Sequence, residues 1–181
     1  MRTADLDLLF IAGLNGSGPD HWQTRWRSRL PTGRLVEQAD WERPHLSDWV
    51  GAVVDACQYA QRPVLLVGHS LGVATIAHAA SLLPPERIKG AFLVAAPSDE
   101  ALIEAGAGEF APTPDAPLPF ASLLVASRND PYSSYDLAAA KAVQWGSRLV
   151  EAGDAGHINA DSGHGPWPEG LMLFAGFIRN L

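Results

Sequence analysis

Gly68-His69-Ser70-Leu71-Gly72 sets a serine between two glycines, the pattern of a nucleophile held at a sharp turn. An unassisted hydroxyl is a weak nucleophile at neutral pH. It needs a neutral imidazole to take its proton and a carboxylate to orient that imidazole. On the sheet architecture that hosts such turns, the three occur in chain order serine, acid, histidine. Six histidines are available: His21, His45, His69, His78, His157 and His164. His21 and His45 precede Ser70, His69 should diverge from it at a sharp turn, and His78 lies two turns down the following helix. His157, in Gly153-Asp-Ala-Gly-His-Ile-Asn, follows the last strand pattern and is the expected base, with His164 its rival. Asp130, on the loop after the preceding strand and fixed by Pro131, is the expected acid. Asp99, Asp154 and Asp161 are its competitors.

Two backbone donors would complete such a site. The N–H of Leu71, at the start of a helix, is one. The second should come from the loop Gly13-Leu14-Asn15-Gly16-Ser17-Gly18 after the first strand, from Leu14 or Asn15. That loop also invites a phosphate-binding reading. Its spacing, G-x-x-G-x-G with no following Lys-Ser/Thr, fits neither the dinucleotide nor the P-loop fingerprint. Trp22 and Trp167 are candidate pocket walls, with core packing as the competing role. No His/Cys/Asp/Glu group has metal-ligand spacing and no cofactor fingerprint is present, so neither metal nor cofactor is expected.

The elements that must position these residues are legible as short apolar runs alternating with amphipathic stretches. Strands are expected at Leu6–Gly13, Arg34–Ala39, Val64–Gly68, Ile88–Ala95, Ser122–Ser127 and Arg148–Glu151. Helices are expected at Pro19–Leu30, Leu46–Ala60, Leu71–Leu83, Tyr135–Trp145 and Pro168–Arg179. LLFIAG, VLLVG and AFLVAA are nearly continuous apolar runs, as strands buried on both faces require. Strand–helix alternation implies a six-stranded, mostly parallel sheet covered by helices on both faces, in the order 2-1-3-4-5-6, as a single domain over 1–181. Ser47 is the expected N-cap of the second helix. The stretch Ser98–Phe120, carrying Pro112, Pro114, Pro117 and Pro119 around a short helix at Glu100–Ala105, is long for a connection inside a compact domain and could shape one wall of a site.

Composition narrows the function further. Thirteen basic against twenty acidic residues leave a net charge of −7, which disfavours nucleic acid or an anionic membrane as partner. Cys57 is the single cysteine, so no internal disulfide framework exists and a reducing compartment, the cytoplasm, is expected. No stretch approaches the ~20 apolar residues that cross a bilayer.

GHSLG, SRNDPYSS, AGHINADSGHGPWPEG and the early GLNGSGPDHWQTRW resemble the small α/β-hydrolases grouped with retinoblastoma-binding protein 9 and the YdeN-like proteins. The likeness spans nearly the whole chain. It implies a compact hydrolase core without a large cap domain, and its triad maps onto Ser70, Asp130 and His157. The L-x-C-x-E segment linked to retinoblastoma-protein binding is not matched around Cys57, so that partner is not carried over and protein partners stay open. The expectation is a cofactor-independent serine hydrolase acting on small carboxylic esters, or on small amides. The competing readings are a non-catalytic interaction module on a hydrolase scaffold and a flavodoxin-like nucleotide binder.

Overall fold

The computed structural model describes residues 1–181. Six strands, β1 (Asp7–Ile11), β2 (Gly33–Leu35), β3 (Val64–His69), β4 (Ile88–Val94), β5 (Ser122–Ala126) and β6 (Arg148–Glu151), form one wholly parallel sheet in the expected order β2-β1-β3-β4-β5-β6. Six helices join them: α1 (Trp22–Arg27), α2 (Leu46–Gln58), α3 (Leu71–Ala79), α4 (Asp99–Glu104), α5 (Tyr135–Trp145) and α6 (Pro168–Arg179).

The continuous apolar runs divide by alternation, because successive strand side chains point to opposite faces. Leu9, Ile11, Leu66, Leu93 and Leu124 pack under α2, α3 and α5 with Val53, Cys57, Ile76 and Trp145. Leu8, Phe10, Leu65, Val67, Phe92 and Val125 pack on the other face against Trp22 and Trp26 of α1 and Phe174 and Ile178 of α6. At the far end of β1 the buried Asp7 carboxylate accepts N–H groups from Gln61 (2.8 Å) and Arg62 (3.2 Å) and pairs with Arg34 and Arg62.

Three elements depart from the sequence expectation. β2 stops at Leu35 instead of Ala39: the Val36 N–H reaches Phe10, but β1 itself ends at Ile11 and offers no further ladder. α1 occupies only the middle of Pro19–Leu30, since His21 is still extended (φ −74°, ψ 143°) and caps the helix. Ser47 lies inside α2, whose first N–H groups are met from a distance: the Glu109 carboxylate accepts from Leu46 N–H at 2.9 Å and lies 3.3 Å from His45. Glu109 belongs to the Ser98–Phe120 stretch, which folds back over the sheet's carboxyl end. Asp99 accepts from the N–H and hydroxyl of Thr113 (3.1 and 2.8 Å), and Pro114 accepts from Trp145 Nε1 at 2.7 Å.

α3 approaches β1 so closely that no side chain fits between them. A Cβ on Gly72 would overlap the Ile11 carbonyl oxygen and lie 2.8 Å from that of Ala12. Gly51, midway along α2, faces nothing within 4 Å. Gly72→Ala should therefore cost about 1–3 kcal/mol or more through overpacking. Gly51→Ala should raise stability by about 0.5–1 kcal/mol through helix propensity. Urea midpoints of the two variants should move in opposite directions.

Candidate active site

Ser70 sits between β3 and α3 with φ +55° and ψ −123°, a conformation that side chains rarely adopt. The glycines either side make it attainable. A Cβ on Gly68 would press on Ile76 at 2.7 Å, and Gly72 has no room at all. Ser70 N–H is tied to the Val94 carbonyl of β4 at 3.0 Å, so the turn is stitched to the neighbouring strand. Gly13 faces Ser70 so closely that a Cβ there would lie 3.0 Å from the serine Cβ.

His157 Nε2 lies 2.8 Å from Ser70 Oγ, and His157 Nδ1 lies 3.0 Å from both carboxylate oxygens of Asp130. The two partners of this ion-pair geometry are buried, with side chains 8% and 4% exposed. With Asp130 accepting at Nδ1, the proton sits there and Nε2 is free to accept from the serine hydroxyl. The rival His164 instead faces Ser162 Oγ at 3.1 Å. His78 contacts the Phe110 carbonyl, and Asp99 is engaged by Thr113 and by Lys141 at 3.6 Å.

The two candidate donors of the first loop separate clearly. Asn15 N–H already donates to the Trp41 carbonyl at 2.8 Å, which corrects its expected role, whereas Leu14 N–H has no backbone acceptor and Leu71 N–H likewise has none. The cavity of about 420 Å³ over Ser70 includes Leu14, Leu71, Leu102, Ala107, Tyr132 and His157 in its wall. Trp22 and Trp167 are not in that wall, against expectation. Both indoles are buried beneath it, 5.1 Å apart, in a cluster with Trp26 and Phe92. Core packing wins because the face below the loops is where the sheet needs large apolar volume. Trp22 still bears on the site from below, since its Nε1–H holds the Ile158 carbonyl at 2.9 Å, next to His157.

Several supporting residues went unread in the sequence. Gln23, fully buried, donates to the carbonyls of Ile11 (3.2 Å) and Val67 (3.0 Å) and accepts from Ser17 (2.7 Å), strapping the glycine loop to the ends of β1 and β3. Ser127 Oγ accepts from Ala155 N–H at 2.9 Å, and Asn129 Oδ1 accepts from Gly156 N–H at 2.7 Å. Those two side chains clasp the loop of Asp130 to the loop of His157. His69 Nε2–H donates to the His157 carbonyl at 2.9 Å, as a packing partner should. A lone polar residue beside a motif carries no pattern, so only the C-terminal ends of β1, β3 and β5 could have flagged these positions.

Behind His157 two further rings follow, His69 tilted at 4.9 Å and His21 edge-on 4.7 Å beyond it. Burial pushes His21 down to about 4, with the nearby His157 adding to the effect. Burial, reinforced by the neighbouring histidines, holds His69 well below the ordinary imidazole range. Both therefore stay neutral at physiological pH, so no fixed positive charge stands behind the imidazole of His157.

A parallel sheet with a serine at the β3–α3 elbow, facing a histidine beyond the last strand, defines an α/β-hydrolase. The chain belongs to the Serine hydrolase family, whose model matches residues 8–176. Among solved structures it is similar to a Pectobacterium atrosepticum protein described as a YdeN-like hydrolase, at 35% identity, with 97% of this chain and 91% of that one covered and a TM-score of 0.87. The ydeN gene product of Bacillus subtilis shares the fold at 20% identity, covering 95% and 98% of the two chains, TM-score 0.76. Thermogutta terrifontis esterase 2 does so at 17% identity, covering 99% and 85%, TM-score 0.67. No curated protein sequence matches the chain. No helix is long and apolar enough to cross a membrane.

The depressed His21 gives a pH signature of stability. Between the ordinary value of 6.5 and about 4 the unfolded chain takes up a proton that the folded chain refuses. Stability is then present above 6.5 and lost as pH falls, by roughly 3 kcal/mol at most from this residue. His21→Asn, which can still cap α1 in place of the His21 Nδ1 that accepts from Gln23 N–H, should flatten the slope of denaturation midpoint against pH in that window.

Proposed function

We propose that this serine hydrolase cleaves small carboxylic esters, and small amides less readily, through an acyl-enzyme on Ser70. His157 Nε2 takes the Ser70 proton as Oγ attacks the acyl carbonyl. Asp130 stays ionised, keeps the Nδ1–H tautomer and stabilises the imidazolium. The N–H groups of Leu71 and Leu14 receive the oxyanion. Collapse of the tetrahedral intermediate breaks the bond to the leaving oxygen, which takes its proton from Nε2. Water then attacks the acyl carbon as Nε2 takes its proton, and the Ser70 Oγ–acyl bond breaks with that proton returned to Oγ, releasing the acid.

The observation that carries this reading is the unbroken chain Ser70 Oγ–His157 Nε2 at 2.8 Å and His157 Nδ1–Asp130 at 3.0 Å. Residues 27 to 87 positions apart meet there on loops at the carboxyl ends of three strands, where sites of open α/β sheets form. The free N–H groups of Leu14 and Leu71 support the oxyanion assignment, and the esterase named among the structural neighbours supports ester substrates. The modest cavity over Ser70 favours short acyl groups. One continuous sheet flanked by two apolar layers supports a single domain over the whole chain.

A fluorophosphonate should form one covalent adduct, located at Ser70 by mass spectrometry, and Ser70→Ala should abolish both the adduct and p-nitrophenyl acetate turnover while the melting curve is kept. Turnover should fall along an acyl series from acetate to octanoate. An unlabelled, inactive wild-type chain would instead favour the interaction-module reading.

Asn129→Ala tests the clasp between the acid and base loops. Releasing Gly156 should lower kcat by on the order of tenfold to a hundredfold with KM little changed, because displacement of a base by an ångström is that costly. Asn129→Asp, which keeps the accepting oxygen, should recover most of the loss.

A further inference from the structure

The cavity over Ser70 has two unlike faces. On one, Leu14, Leu71, Leu102 and Ala107 belong to a small apolar cluster that includes Trp49 and Phe110. On the other, the glycine loop brings Gly16, Gly18 and His21, and the loop after His157 brings Asn159, Ala160 and Asp161. The two loops of this second face are bound together: Trp22 N–H donates to the His164 carbonyl at 3.2 Å and Trp22 Nε1–H to that of Ile158.

Chemistry assigns the faces. Under the proposed mechanism the group that departs must receive its proton from His157 Nε2, so it leaves on the side of the His157 loop. The acyl chain then lies on the apolar side, against Leu71, Leu102 and Ala107.

The departing side is electrostatically simple. No lysine or arginine lines the cavity. Asp161 is exposed and pairs with no cation, whereas the nearby Asp20 is neutralised by Arg25 at 2.6 Å. His21 and His69 are neutral at physiological pH, as argued above. His21, 6% exposed, is part of this face, and its buried Nε2 has no partner in the protein. The Tyr132 ring, 47% exposed, lines the same cavity 4.5 Å from that of His157 and offers an aromatic face.

Resting on the esterase reading, we infer that the preferred substrates are short-chain esters whose alcohol part carries a positive charge, with Asp161 as the selecting group and Tyr132 an aromatic surface of the same cavity. The step itself is unchanged: the Ser70 Oγ–acyl bond forms, the bond to the cationic alcohol breaks, and the serine proton passes through His157 to the leaving heteroatom. Anionic leaving groups are disfavoured by the same carboxylate.

Acetylthiocholine and its uncharged isostere S-(3,3-dimethylbutyl) thioacetate test this with one acyl group and two leaving groups of equal shape. The wild-type chain should favour the cation in kcat/KM. Asp161→Asn should lower that ratio about three- to fivefold at low salt, as expected for a partly exposed charge pair. Asp161→Lys should invert the preference, and added salt should shrink it in the wild type. A ratio that stays put in both variants, or a wild-type ratio below one, overturns the assignment. Hydrolysis of neither probe by a chain that still takes the fluorophosphonate at Ser70 overturns this inference alone. Absence of the adduct overturns the esterase reading beneath it.

Discussion

Everything at this site depends on how closely α3 can approach the end of β1. Gly72 lies against the carbonyl oxygens of Ile11 and Ala12 with no space for a side chain, and Gly68 is pressed by Ile76. That contact lets the chain reverse from strand to helix within one residue, and Ser70 alone bears the strain at φ +55°. A gentler turn would carry the hydroxyl away from the sheet's edge. It would also separate Leu71 N–H from the Gly13–Leu14 corner that β1 delivers beside it. The proposed nucleophile and both candidate oxyanion donors are thus consequences of one steric fit, and the fit requires absence of side chains rather than presence of any interaction.

The reach of sequence reasoning follows from the range of the forces involved. Strand order, the elbow and the Ser70, Asp130 and His157 positions were legible because each rests on a local pattern: a buried apolar run, glycines at fixed offsets, a loop directly after a strand. The competition between Leu14 and Asn15 was not, because it turns on Trp41, whose carbonyl takes the Asn15 N–H from a different loop. Trp22 and Trp167 were misplaced for a related reason. An indole near a site in sequence is equally suited to the layer beneath it, and only the packing of Trp26 and Phe92 around them decides. The Ser47 cap failed likewise: the helix begins one residue earlier, at Leu46, whose N–H is met by the Glu109 carboxylate 63 residues away. Non-local hydrogen bonds leave no period in the chain.

Those same non-local bonds make the site rigid. The loop bearing His157 is held at Ala155 and Gly156 by Ser127 and Asn129, at its own carbonyl by His69, and at Ile158 by Trp22. Anchors come from the loop after β5, the end of β3 and α1, so three parts of the fold agree on one position for the imidazole. In the proposed mechanism, a base whose backbone is fixed on both sides gains orientation before any substrate arrives, which is the part of catalysis that a fold can supply in advance.

The row of histidines behind the proposed base adds an electrostatic condition. Were His69 or His21 protonated, a cation within 5 Å of the next ring would oppose formation of the imidazolium on His157. Burial removes that option by keeping both neutral, and each uses one nitrogen for the backbone: His69 donates to the His157 carbonyl and His21 accepts from Gln23 N–H. The rings therefore serve as polar filler with fixed tautomers, supplying hydrogen bonds to a loop and a helix end without adding charge. Aliphatic side chains of similar volume could fill the space but would leave the His157 carbonyl without this donor. Lysine or arginine could donate, but only by bringing a charge that works against the developing imidazolium. Neutral imidazole meets both requirements at this depth, which accounts physically for three histidines standing in a row where the chemistry calls for one.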